Sequence, residues 1–390
     1  LSYNFDQIIE RKNTNSAKWD GLKDVFGKDD VLPMWVADMD FRCPQPIVDA
    51  IVKRAEHGIY GYPKRPVSYY ESIIYWMKKR HNWDIKEEWI SFSPGVVPAL
   101  NMLIMALTNP GDKVVVQSPV YFPFFSAVKN NNRVLVNNEL KLQNGNYVMD
   151  FERLEKQIDS KTKMLILCSP HNPVGRVWSR EELKRLGEIC LKNNIIIVSD
   201  EIHSDIVYSG YKHTPIASIS EELAKNTITC IAPSKTFNVA GLYTSVVIIP
   251  NKKLKDKYKN ILERIHIGMG NIFGIEALEA GYRYGEEWLE NLLKYLEGNI
   301  EYSINFINKR IPKIKAIRPE GTYLLWLDYR ELKLSNKELK NLMVDKAKVG
   351  LSDGAMFGSG GEGFQRMNIG CPREIIKEGL ERIEKAINQL

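Results

Sequence analysis

Between about residues 45 and 285, short runs of branched apolar residues alternate with segments of helical periodicity, and this alternation constrains the chain more than any other feature. The runs KVVVQ, RVLVN, KMLILC, IIIVS, TITCI and SVVII are strand length and bounded by turn residues. Between them lie segments such as SREELKRLGEICLKNN, where Leu183, Leu186 and Cys190 recur at intervals of three and four. That order predicts an α/β domain on a mostly parallel sheet. Helices cover both faces of such a sheet, so ligands reach it at the carboxyl ends of its strands.

From Glu286 the texture changes. Trp288, Leu292, Leu296, Ile300, Ile304 and Ile307 mark one stripe of a long helix, which bridges into a smaller α/β domain over 286–390. That domain is expected to hold the strand TYLLWLDY, a helix over 335–348, the glycine-rich loop GAMFGSGGEG, the strand FQRMNIG and a closing helix. Residues 45–285 form the large domain. Residues 1–44, an arm ending in the extended MWVADMDF, are expected to pack with the small one.

Several function classes are disfavoured. A net charge of +6 is mild for 390 residues, and the densest basic stretch, KKLKDKYKN, reads as one solvated helix face, so no nucleic-acid partner is expected. The longest apolar runs are far shorter than the roughly 18 residues of a membrane span. The opening LSYNFDQIIERKN has neither the basic start nor the apolar core of a secretory leader, and a cytoplasmic enzyme is the expectation. Cys43, Cys168, Cys190, Cys230 and Cys371 are odd in number and without CxxC pairs, which reads as reduced and mostly buried thiols. Six histidines without zinc spacing predict no metal site.

Lys235 follows the apolar run TITCI and sits in APSKTFNVAGL among small and polar residues. At the carboxyl end of a buried strand a lysine loses hydration, which lowers its pKa and makes it a usable amine nucleophile. A lysine is ordinarily a solvated surface residue, but here a Schiff base is the obvious chemistry, and the rest of the sequence can be searched for what a pyridoxal phosphate site requires. Candidates for the other requirements are present. Asp200 ends IIIVSD, placed to face the ring nitrogen, although an aspartate there can also cap a helix. Asn172, in SPHNPVG, can donate to the ring oxygen and meet a substrate carboxylate, or simply mark a turn. SPGVVPAL opens a helix, so the backbone N–H groups of Gly95, Val96 and Val97 suit a phosphate. Tyr121, in SPVYFPFF, can stack on the ring or fill the core. Arg366, in FQRMN, can fork onto an α-carboxylate or face solvent.

Phosphate turn, Tyr121, Asn172, Asp200, Lys235 and Arg366 follow one another in an order that resembles the fold type I pyridoxal-phosphate enzymes, the aspartate aminotransferase superfamily, over nearly the whole chain. MWVADMDF, SPGVVPAL, SPHNPVG, SDEIHSD and SKTFNVAGL look more like one branch, the MalY/PatB-type cystathionine β-lyases or C–S lyases. The resemblance implies a large domain with a mostly parallel seven-stranded sheet. It also implies Lys235 as the Schiff-base amine, Asp200 on the pyridine nitrogen, Asn172 on the ring oxygen, and Arg366 and Ala37 on the substrate. A homodimer would let Tyr62, in IYGYPKRP, reach the phosphate of the other subunit. Two positions depart from the aminotransferase pattern. His203 stands where a tyrosine often follows the ring aspartate by three, and Tyr243 where an arginine often follows the lysine by eight. Ser234 and Tyr62 then hold more of the phosphate, and both departures weigh against simple transamination.

The expected reaction is α,β-elimination from L-cystathionine or a related cysteine thioether, giving a thiol, pyruvate and ammonia. A thiolate, from a thiol of pKa about 8.5, leaves far more readily than hydroxide, with water at about 15.7. Lys235 would remove the α-proton, and Lys235 or Tyr121 would protonate the sulfur. Two alternatives stay open on sequence: a class I/II aminotransferase, and a MalY-like regulator that binds a transcriptional activator.

Overall fold

A computed structural model describes residues 3–390. Seven strands form the main sheet: β1 Ile90–Ser93, β2 Lys113–Val116, β3 Val134–Asn137, β4 Thr162–Cys168, β5 Ile196–Asp200, β6 Thr227–Ile231 and β7 Ser245–Ile248. Their order is β1-β7-β6-β5-β4-β2-β3. Only β7 runs opposite to the other six strands. The interior strand β6 is buried along its whole length, as a strand covered on both faces must be. On one face Val114, Ile166 and Val198 pack beneath helix Val96–Leu107. On the other, Leu165, Leu167 and Ile197 pack against Leu183, Leu186 and Cys190 of helix Arg180–Lys192, whose start is fixed by a Ser179–Glu182 capping box.

A second sheet follows: β8 Lys315–Ile317, β9 Leu324–Asp328, β10 Ser352–Asp353 and β11 Phe364–Asn368, in the antiparallel order β8-β9-β11-β10. Trp326 stacks on Phe364 at 5.1 Å and joins the apolar cluster under the main sheet, which ties the two sheets together. Helix Glu286–Arg310 bridges the sheets as its stripe requires, with one difference. Ile304 is half-buried, and Asn299 and Ser303 share the buried face. Asn299 lies there because its amide donates to the carbonyls of Ile369 and Cys371. The segment 335–348 is helical from Asn336 to Asn341 and then widens into a π turn over Leu342–Ala347.

The arm packs against the second sheet. Leu32–Pro33 pairs in parallel with Val349–Gly350, and the Asn368 amide donates to the carbonyls of Val36 and Asp38. Beneath it Lys18, only 1% exposed, meets Asp40 at 2.6 Å, and Asp40 also accepts from Arg11 and Trp19. Among the described residues no helix is long and apolar enough to cross a membrane.

Candidate active site

The carboxyl ends of β1, β4, β5 and β6 open on a cavity of about 330 Å³. Gly95, Val96, Val97, Tyr121, Asn172, Asp200, His203, Ser234, Lys235 and Ala37 all line it. A second cavity of about 350 Å³ adjoins it, and both are lined by Ala37, Tyr121 and Lys235. Arg366 lines the second. Lys235 therefore stands where the two meet.

Lys235 lies in a one-turn helix, Pro233–Thr236, directly after β6. Its Nζ donates to the carbonyl of Ala37 at 2.6 Å. Removal from water lowers its pKa to about 8, opposed by the negative charge of Asp38 and helped by the nearby Arg366 guanidinium. The amine is thus far closer to its nucleophilic form than a surface lysine.

Register sets Asp200 beside Cys168 at the ends of β5 and β4. Its carboxylate accepts from the Ile202 N–H at 3.1 Å, and a turn rather than a helix follows, which rules out a helix-capping role. Burial raises its pKa to about 7, held back by that N–H and by Lys235. A carboxyl so short of positive charge fits a protonated ring nitrogen, which would restore it to its ionised form.

Asn172 is buried, and its side-chain oxygen accepts from Arg366 Nη1 at 2.9 Å. A guanidinium only donates, so the amide NH2 is the group left to face the cavity, where a ring oxygen needs a donor. Arg366 is buried, which removes the solvent-facing alternative. Its other partners are the Trp35 carbonyl and the Ser352 hydroxyl, its Nε has none, and it lies over the Phe357 ring at 4.9 Å. None of these partners is an anion. Desolvation alone pulls its pKa down to about 10, and a substrate carboxylate is the group that would complete it.

His203 is buried with Nδ1 unpartnered, and desolvation beside Lys235 and Arg366 holds it neutral. Gly95 is the N-cap of helix Val96–Leu107, and Gly95, Val96 and Val97 line the cavity, so the helix start with its free backbone N–H groups lies at that end. Ser234 and Tyr243 line the same cavity, Tyr243 with a left-handed φ of 45°. Tyr62 does not reach it: the side chain is 93% exposed and lines neither cavity. The donor set fits pyridoxal phosphate: an amine, a carboxyl lacking a cation, an amide donor, a helix start and an arginine lacking an anion.

Three residues of the site carried no signal in the sequence. Tyr323 donates to the Ala37 carbonyl at 2.8 Å, Asp38 bears on Lys235 through its charge, and Thr236, next to Lys235, donates to the buried Asp205 at 2.7 Å. Asp205 also accepts from Trp76 and faces His81 Nε2 at 3.0 Å, which anchors the turn that carries the lysine.

The model of the class I and II aminotransferase family matches residues 29–383. The chain belongs to this family. Within the class I and II aminotransferases it sides with the PatB/MalY-type lyases. It is 47% identical over 386 residues to the cystathionine β-lyase PatB of Bacillus subtilis strain 168, covering 99% of this chain and all of PatB. A pyridoxal-phosphate-bound structure from Clostridium difficile 630, described as a putative aminotransferase, superposes with a TM-score of 0.98 at 52% identity, covering 99% of this chain and all of that one. Cystalysin from Treponema denticola, which contains the same cofactor, gives 0.96 at 40% identity over the whole of both chains. The family depends on pyridoxal phosphate.

Proposed function

We propose that this chain is a pyridoxal-phosphate C–S β-lyase that cleaves L-cystathionine or a related cysteine thioether to a thiol, pyruvate and ammonia. The observation that carries this reading is the position of Lys235 at the junction of the cofactor cavity and the arginine cavity. Arg366 grips the substrate carboxylate with two parallel bonds and so fixes the α-carbon beside Lys235. The bound cofactor supplies an electron sink that acidifies the α-hydrogen. Lys235, with a pKa of about 8, takes that proton as general base. Tyr121 lines both cavities, and burial raises its pKa, so it holds a proton to hand to the departing sulfur.

A homodimer completes the phosphate end in this reading. Tyr62 is exposed beside the exposed Ile59 and Val67, an apolar surface suited to a second copy. Tyr62 of the partner subunit would then donate to the phosphate. Five free cysteines fit a reducing, cytoplasmic location.

The test is the product. Purified protein loaded with cofactor should release pyruvate and free thiol from L-cystathionine with no added keto acid. Turnover that requires a keto acid and yields a new amino acid would make it an aminotransferase instead.

A further inference from the structure

The arginine cavity also bears on which thioether the enzyme takes, an inference that rests on the lyase reading. With the carboxylate on Arg366 and the α-carbon at Lys235, the sulfur substituent has the remainder of this cavity to occupy. Its apolar walls include Val25, Phe26, Trp35, Phe122, Met343 and Met356, and Ser352 and Gln365 add an uncharged polar lining. Phe26 meets Trp35 edge-on at 5.6 Å, and the π turn Leu342–Ala347 carries Met343. Val25, Phe122 and Met356 are 44%, 39% and 42% exposed, so apolar side chains continue from the interior out to solvent.

Besides Arg366 and Lys235, two charged residues line this cavity, Lys340 and Asp353. Neither is well suited to a charged substituent. Asp353 already caps the turn Gly354–Phe357 by accepting from the Ala355 N–H at 3.0 Å. Lys340 is exposed, where an ion pair contributes little. The homocysteine arm of cystathionine ends in an ammonium and a carboxylate. Both would lose water here for weak partners, whereas an apolar arm gains from every contact. We infer that the cavity selects cysteine thioethers with bulky apolar substituents, aromatic or branched alkyl, over the zwitterionic arm of cystathionine.

Steady-state pyruvate release from S-benzyl-L-cysteine and L-cystathionine tests this, since both leaving groups are alkyl thiols. The benzyl conjugate should have the higher kcat/KM by about tenfold or more. Met356→Glu, at an exposed position that the fold tolerates, should lower the benzyl value about tenfold and shift the cystathionine value much less. Calorimetry of the loaded enzyme with 3-(benzylthio)propanoate and 3,3′-thiodipropionate reads the cavity without turnover, because neither probe carries an amine. The benzyl probe should bind about tenfold more tightly. Equal or better handling of cystathionine, or equal or tighter binding of thiodipropionate, overturns the inference. Pyruvate from neither conjugate would overturn the lyase reading instead, and the calorimetric ranking would still decide the character of the cavity.

Discussion

Lys235 and Tyr323 donate to the same oxygen: the Ala37 carbonyl accepts from Lys235 Nζ at 2.6 Å and from the Tyr323 hydroxyl at 2.8 Å. Ala37 lines both cavities, so one backbone carbonyl of the arm sets where the lysine amine rests. With the Lys235 pKa at about 8, roughly a tenth of these amines are neutral at pH 7, against about three in ten thousand for an ordinary lysine. In cofactor-free protein, acylation of Lys235 followed by peptide mass spectrometry should therefore rise with pH around a midpoint near 8. Tyr323→Phe removes the competing donor, leaves the carbonyl to the ammonium, and should move that midpoint upward by less than about one unit. A midpoint that stays fixed would show that the shared carbonyl has no influence on the amine.

Asp200 gives a prediction with opposite signs for the empty and the loaded protein. Its folded pKa of about 7 lies above the ordinary value of 3.8, so the fold holds its proton between those limits. That contribution to stability is full below about pH 4 and is lost as pH rises through 7. Asp200→Asn has no proton to lose, and the cofactor-free variant should exceed the cofactor-free parent at pH 8 by on the order of 2–4 kcal/mol. Loaded with cofactor, the same variant would lack the anion proposed to face the ring nitrogen, and kcat should fall at least about a hundredfold. Urea denaturation across pH, set beside pyruvate release, checks both halves.

Lys18 is buried against Asp40, and that pair holds the arm that presents Ala37. Asp40→Asn leaves a buried ammonium with only Asp38, at 3.8 Å, and should cost on the order of 3 kcal/mol by chemical denaturation. A loss below about 1 kcal/mol would place the anchoring of the arm elsewhere.

Arg366→Lys keeps the charge and loses the planar fork. The cofactor should still bind, giving the parent absorption spectrum, while kcat/KM falls on the order of a hundredfold, mostly through KM. An unchanged KM would mean that another group grips the substrate carboxylate.

The parallel sheet and the core of the site were legible because both are encoded locally. A strand end delivers Asp200, and the turns after β4 and β6 carry Asn172 and Lys235, so an apolar run followed by a polar residue already places each of them. What escaped depends on partners distant in sequence. Lys18 is buried only because Asp40 crosses to it, and Tyr323 matters only because the arm passes over β9 with one carbonyl exposed to it. The stripe on helix Glu286–Arg310 misplaced Ile304 because periodicity marks which face turns inward, and Asn299 can share that face once two carbonyls wait for its amide. Tyr62 is a bare exposed side chain that lines neither cavity of its own chain, so nothing local to its sequence brings it to the site.

Borohydride reduction of the loaded protein, followed by digestion and mass mapping of the pyridoxyl group, tests the centre of the proposal most directly. The added mass should fall on Lys235 alone, and the Lys235→Ala variant should take up none. A stable label on any other lysine, or a loaded wild-type protein that takes up no label, would contradict it.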